Sequence, residues 1–297
     1  MAIGPIHLSW MRRLADRSCF DGLKSVIDLG PQDIQIERHI LQDALAHRIP
    51  SAKLGAVLDK LYPSGRVAPD GQPDFYALFD LGPYASIDLD DARATYRLDL
   101  NQPISGIPEF DVVTNYGTTE HVFNIGEALR SIHTLTAPGG LSLHCVPCFA
   151  FVNHGFYTIN PNVFVEMARA NHYEIEDFSY FDNAFVRNVE MGRDGVLRFD
   201  LDSLPIRISD MEDTRKFMTK VVNRFHENLS AKNTRREISA LGRNILPHRY
   251  PSEHFHICYV FDLIFFAMRR PQKRMPFVMP IQNASGVPPI AKPALSE

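Results

Sequence analysis

Two short segments hold most of the side chains able to do chemistry. NYGTTEHVFN supplies Asn115, Tyr116, Thr118, Thr119, Glu120 and His121, and FVNHGFYTINP at 151–161 adds His154, Phe156 and Tyr157. A neutral imidazole can take a proton from a hydroxyl near neutral pH, so His154 and then His121 are the candidate general bases. Tyr157 is the third candidate, as a hydroxyl that orients an acceptor. A Glu-His pair at the start of a helix equally serves as a cap or a loop brace, and the expectation is no bound metal. HCVPC at 144–148 has C-x-x-C spacing but no second pair, and it sits on an apolar run, so neither zinc nor redox chemistry is read there.

These segments follow apolar runs, and other runs also end in polar residues. SVIDLGPQ delivers Asp28, Gly30 and Gln32; YASIDLD delivers Asp88 and Leu89; YRLDLNQP delivers Asp99 and Leu100. Such runs alternate with amphipathic stretches, the pattern of a parallel sheet covered by helices. Strands are expected at 24–29, 84–88, 95–99, 110–115, 141–147, 174–181 and 259–268. Helices are expected in NIGEALRSIHTL, with Ile125, Leu129, Ile132 and Leu135 at helical spacing, and in PNVFVEMARANHY, with TAPGG as a turn between helix and strand. Ligands of open α/β sheets sit beyond the carboxyl ends of the strands, so the polar residues converge on one crevice. After the first strand Pro31, Gln32 and Asp33 stand where a G-x-G-x-x-G fingerprint would continue, so a dinucleotide pyrophosphate has no glycine cradle.

The chain has 297 residues, 45% of them hydrophobic and 22% charged, with a net charge of −4, the composition of a globular protein with a sizeable core. An acidic balance offers no electrostatic reason to expect nucleic acid or an anionic membrane, which leaves a small-molecule substrate as the expected partner. No segment supplies the ~20 apolar residues of a membrane span. The four cysteines come without a secretory signal, so cytoplasmic localisation is expected, with reduced thiols.

In their order, VIDLG, YASIDLD, YRLDLNQP, FDVVTNYGTTEHV and LTAPGGLSLHCVP resemble the class I S-adenosylmethionine-dependent methyltransferases over about residues 24–181 plus the strand at 259–268. GTTEHV with NHGFYTINP is similar to a group of bacterial methyltransferase-like proteins. The resemblance implies a Rossmann-like α/β fold: a mostly parallel seven-stranded sheet, helices on both faces, the last strand antiparallel beside the sixth. It implies S-adenosyl-L-methionine as cofactor, held by Asp28, Gly30, Gln32, Asp88, Leu89, Asp99, Leu100, Asn115 and Tyr116. Asp88 would take the ribose hydroxyls, Asp99 the adenine amino group, and Gln32 the methionine end. The implied activity is methylation of a small-molecule or saccharide hydroxyl in biosynthesis. Two alternatives stay open: displacement at the sulfonium releasing methylthioadenosine, and an inactive binding relative with an eroded glycine turn.

Two regions exceed a minimal doubly wound domain. Residues 1–22 read as a helical leader and 23–181 as the cofactor-binding core, with a helical lid inserted at 34–78. Residues 182–258 form a second insertion, with a hairpin about RDG and a charged helix in DMEDTRKFMTKVVNRFHENL. Residues 259–270 close the core and 271–297 form an extended tail. Either insertion could instead carry contacts for a homodimer.

Overall fold

Val26, Ile27, Asp28 and Leu29 are buried without exception, as expected for a strand lying between two layers of helices. The computed structural model describes residues 2–149, 151, 154–182, 189–191, 197–199, 206–207 and 262–281. Along the chain come β1 (Ala2–Ile3), α1 (Pro5–Asp16), β2 (Val26–Leu29), β3 (Asp33–Ile34), α2 (Arg38–Leu45), α3 (Ser51–Leu61) and α4 (Gln72–Ala77). Then follow β4 (Tyr84–Asp88), β5 (Tyr96–Arg97), β6 (Phe110–Tyr116), α5 (Ile125–Leu135), β7 (Thr136–Phe149), α6 (Asn162–Ala170) and β8 (Glu174–Asp182). Short strands β9 (Val189–Met191), β10 (Leu197–Phe199) and β11 (Ile206–Arg207) precede β12 (Asp262–Arg269).

The main sheet runs β11-β8-β12-β7-β6-β2-β4-β5. The five strands from β7 to β5 are parallel, while β12 lies antiparallel between β7 and β8. Reversal of strand order beside β2 creates the switch point at which such sheets bind ligands. This is the Rossmann-like α/β fold expected, with two-residue β11 added at one edge.

Side-chain alternation divides the core. Val26, Val112, Leu143, Cys145 and Phe265 join the apolar faces of α1–α4 in one cluster. Ile27, Leu29, Val113, Val146 and Phe266 join those of α5 and α6 in the other. The leader is part of this architecture: Trp10 is fully buried and its indole N–H donates to Asp177 at 2.9 Å. Residues 34–78 carry helices α2–α4 as expected, and Leu41, Leu45, Leu58 and Leu61 are buried in the same cluster as the sheet.

Two elements differ from the expectation. TAPGG is a bulge inside β7 rather than a turn before it, with the register shifting opposite Phe110 and Val112. Gly140 permits this because a Cβ there would lie 2.6 Å from the Asp111 carbonyl oxygen. The strand expected at 95–99 shortens to Tyr96–Arg97, so Asp99 emerges from a turn. In the second insertion β9 and β10 pair antiparallel, while RDG and the helix expected at 210–229 lie outside the described residues, as do residues 282–297 of the tail. Among the described residues no helix is long and apolar enough to cross a membrane.

Candidate active site

The chain leaves β2 through Gly30, at φ +78°, a left-handed conformation that favours glycine. A Cβ there would meet Thr118 Oγ1 at 3.2 Å, Gln32 Nε2 at 3.4 Å and Asp88 Oδ2 at 3.6 Å. The turn therefore brings three of the expected residues together, Gly30, Gln32 and Asp88, with Thr118 as a fourth. Gln32 is buried and folds back, its Nε2 donating to the carbonyls of Gly30 at 3.0 Å and Leu29 at 3.4 Å. Its Oε1 is left without a partner. The Thr118 hydroxyl donates to Leu29 O and ties the loop after β6 to this turn.

At the end of β4, Asp88 Oδ1 accepts the amides of Asp90 and Asp91, both at 2.9 Å, and Oδ2 is the oxygen turned toward Gly30. Leu89 beside it is 58% exposed. Asp99 Oδ1 accepts from the Asn101 amide and side chain, each at 2.8 Å, and these bonds hold its carboxyl below the usual range. Asn101 in turn accepts the Asn124 amide, which joins this turn to the N-cap of α5. Leu100 is buried in the α5–α6 core.

Two expected cofactor residues face the other side of the sheet. Asp28 is fully buried on the α1–α4 side, where its carboxylate accepts the Gln32 amide from beneath the turn. It accepts hydroxyls from Tyr76 at 2.5 Å, Tyr84 at 3.1 Å, and Thr114. Burial raises its carboxyl to about 6 against the opposing pull of these bonds. Tyr116 shares that side of the sheet, packed 5.1 Å from His7 between ring centroids and 6.4 Å from Trp10. The reason is the two-residue period: Asp28 lies in phase with Val26, and Tyr116 with Val112 and Thr114, all opposite to the face of Ile27, Val113 and Asn115.

Asn115 is a fully buried brace. Its Oδ1 accepts the amides of Thr118 at 3.4 Å and Thr119 at 3.1 Å, and its Nδ2 donates to Thr119 Oγ1 at 2.9 Å. Nδ2 also faces His144 Nδ1 across the β6–β7 pair at 3.2 Å. Burial lowers His144 to about 3, so the ring is neutral and Nδ1 accepts.

The loop that Asn115 fixes carries Glu120 and His121. Glu120 is fully buried and neither carboxylate oxygen has a hydrogen-bond partner. His154 Nε2 lies 3.7 Å and His121 Nε2 4.0 Å from Glu120 Oε1. The two rings meet edge-on at 4.7 Å. His121 is lowered, chiefly by burial, with Glu120 acting against this and His154 with it. The second loop is held against the first by the amides of Phe156 and Tyr157, which donate to Glu120 O at 2.8 and 3.2 Å. Tyr157 spends its proton on the Phe123 carbonyl at 2.6 Å, so its hydroxyl can only accept from an acceptor molecule. Phe123 and Phe156, 70% and 64% exposed, stand edge-to-face beside the cluster with centroids 5.6 Å apart.

Sequence reasoning missed Gln72, whose Nε2 holds the Gln32 carbonyl at 2.7 Å, and Arg93. The latter's guanidinium spans Asp33 at 2.6 Å, Asp91 at 2.7 Å and the Pro31 carbonyl at 3.3 Å. Only the fold brings these to the turn, so no local pattern could mark them. A cleft of about 710 Å³ also opens within the first insertion, lined in part by Ile34, Arg38, His39, Gln42 and Tyr62.

No protein-family model matches the chain, and no curated protein does. Among solved structures it is similar to a protein of Bacillus halodurans C-125 assigned as a methyltransferase, at 12% identity over 87% of this chain and 97% of that one, with a TM-score of 0.39. It is similar to the O-methyltransferase of a trans-AT PKS multienzyme from Brevibacillus brevis, in complex with S-adenosyl-L-homocysteine, at 10% identity over 89% and 72% with a TM-score of 0.39. A third is the N-methyltransferase NodS from Bradyrhizobium japonicum WM9, at 11% identity over 90% and 89%, with a TM-score of 0.36. Likeness this distant decides nothing about chemistry, and the class of fold rests on the strand order of the chain itself.

Proposed function

We propose that this protein is an S-adenosylmethionine-dependent methyltransferase acting on a hydroxyl of a small molecule or saccharide. The observation that carries the reading is the left-handed Gly30 at the switch point of the sheet, with Thr118, Gln32 and Asp88 around the space a Cβ would fill. An amino-acid moiety without phosphate needs close backbone approach at one point rather than a series of glycines.

The residues fit such a cofactor. The unpartnered Gln32 Oε1 is an acceptor for an ammonium, Asp88 Oδ2 for a ribose hydroxyl, and the second oxygen of Asp99 for an adenine amino group. Leu89 offers exposed apolar surface beside them. When bound, S-adenosylmethionine supplies an electrophilic methyl group on a sulfonium. What the chain must add is alignment of the acceptor oxygen and removal of its proton. The cluster of Glu120, His121 and His154 serves the second need, on a loop that Thr118 ties to the cofactor turn.

Calorimetry with S-adenosylhomocysteine tests the cofactor. Saturable binding that weakens in Asp88→Ala is expected, and a folded chain that binds neither S-adenosylhomocysteine nor S-adenosylmethionine overturns the reading. Incubation with hydroxylated acceptors should yield S-adenosylhomocysteine, whereas methylthioadenosine as the product would refute methyl transfer.

A further inference from the structure

A fully buried carboxylate with both oxygens unpaired is costly, and buried polar groups in folded proteins find partners with few exceptions. Glu120 is in that position, and two imidazoles lie within 4.0 Å of its Oε1. Neither is hydrogen bonded to it: 3.7 and 4.0 Å exceed the 2.7–3.2 Å typical of such a bond. One donor atom from each of the three residues lies within 4.8 Å of the others. Ligands ~2.0–2.2 Å from a tetrahedral ion stand about 3.4 Å apart, so each histidine is a few tenths of an ångström too far from Glu120, and the three atoms, now within 4.8 Å of one another, must draw together to share an ion. The histidine side chains are 35% and 44% exposed, which leaves them free to turn inward.

We propose that Glu120, His121 and His154 bind one divalent first-row transition-metal ion, such as zinc, manganese or cobalt, with open positions facing the crevice. Two imidazoles and one carboxylate suit this class of ion, whereas magnesium and calcium prefer oxygen ligands alone. The fold presents the ligands in advance. Asn115 fixes the loop of Glu120 and His121, and the Phe156 and Tyr157 amides on the Glu120 carbonyl hold His154 opposite. Gly155 allows the approach, since a Cβ there would come within 2.8 Å of the Glu120 carbonyl oxygen. Three protein ligands leave room for an oxygen of another molecule, the pattern of a catalytic rather than a structural site.

The use of the ion rests on the methyltransferase reading, but its binding does not. An acceptor hydroxyl placed on an open position would lose its proton to water more readily, because the ion stabilises the oxygen's charge. That oxygen's electron pair then forms the bond to the methyl carbon as the carbon–sulfur bond breaks. Neutral S-adenosylhomocysteine departs, and the net release is one proton. His154 and His121 are ligands in this arrangement, not the bases expected from their position in the sequence.

The test uses cobalt(II) as probe on the full chain after treatment with a chelator. One equivalent should bind, with visible absorption bands that zinc abolishes by competition. Glu120→Gln and His154→Ala should each weaken binding more than about 100-fold, beyond the 10–100-fold usual for groups that only support a ligand. His39→Ala and His47→Ala should change nothing. Circular dichroism and S-adenosylhomocysteine affinity, unchanged in His154→Ala, would exclude misfolding as the cause. Absence of stoichiometric binding, or equal binding by Glu120→Gln, His154→Ala and the parent, overturns the site. Cobalt bound without S-adenosylhomocysteine binding keeps the site and removes the methyltransferase reading; the reverse result removes only the site.

Discussion

Asp28 and Glu120 are both fully buried carboxylates at ends of neighbouring strands, yet their surroundings are opposite. Asp28 is taken up by three hydroxyls from α4, β4 and β6, so one residue ties a helix to two strands. The Glu120 carboxylate has no hydrogen-bond partner, and two half-exposed imidazoles stand 3.7 and 4.0 Å from it, beyond bonding distance. Burial alone does not distinguish structure from function; satisfaction does. A carboxyl group whose bonds are complete ties elements of the fold together, while one retained unsatisfied is a cost that a ligand can offset.

The largest effect should follow from breaking the satisfied site. Asp28→Ala strands three hydroxyls at ~1–3 kcal/mol each, and relief of carboxylate burial returns part of this, so unfolding in urea should show a loss of about 3 kcal/mol or more. A loss below about 1 kcal/mol would mean the hydroxyls find water and the tie is not structural. The parent's pH dependence gives a second measure. With Asp28 raised from 3.8 to about 6, the folded state binds its proton more tightly than the unfolded chain. Its contribution to stability is therefore full below pH 3.8 and is lost, by about 3 kcal/mol in all, as pH rises through 6. Asp28→Asn should lack this decline, seen as a difference between the two proteins that grows across that window.

Glu120 should respond in the other direction. In chelator, Glu120→Leu should raise stability by about 1–3 kcal/mol, because an unsatisfied buried group is replaced by an apolar one of similar size. A loss of stability instead would show that the carboxylate is held by something other than a cation, and would erase the contrast with Asp28.

Between these two lies the cofactor turn, where bonds are partly complete. Asp88→Ala removes one facing oxygen and the turn made by the other, so S-adenosylhomocysteine affinity should fall at least about tenfold, or ~1.4 kcal/mol. Unchanged affinity in a folded variant would take Asp88 out of the site.

Much of the architecture was legible because each core strand is an apolar run bounded by polar residues, and order along the chain limits how such runs can pair. The crevice was legible at Gly30, Gln32 and Asp88 for the same reason: each directly follows a strand or lies in its turn. The burial of Asp28 and Tyr116 was also legible, since counting by twos from Val26 and Val112 sends both to the α1–α4 face. The partners of Asp28 were not legible at all. Tyr76, Tyr84 and Thr114 lie 48, 56 and 86 residues away, and only the folded sheet brings their hydroxyls together. Likewise Glu120 was visible as a residue, but its lack of partners is a property of packing that no spacing encodes.

The smallest effect concerns the first insertion, whose expected role was a lid. Its helices have two unlike sides. Leu41, Leu45, Leu58 and Leu61 anchor them to the sheet, while residues 34–39, Gln42, Tyr62 and residues 65–67 border an open cleft of about 710 Å³. Amides that open only with the whole domain report global stability, and those beside a cleft report local opening. On adding S-adenosylhomocysteine, hydrogen exchange should slow modestly over 31–42, next to the cofactor turn, and remain unchanged through the buried face of α3. Uniform slowing from 34 to 61 would instead mean that the helices close as one body, and the buried leucines would then be a sliding contact. No change anywhere would make the insertion a fixed wall and its cleft independent of the cofactor. The contrast drawn from the two carboxylates applies here on a larger scale: the packed side of α2 and α3 supports the fold, and the side still facing solvent is where a ligand can act.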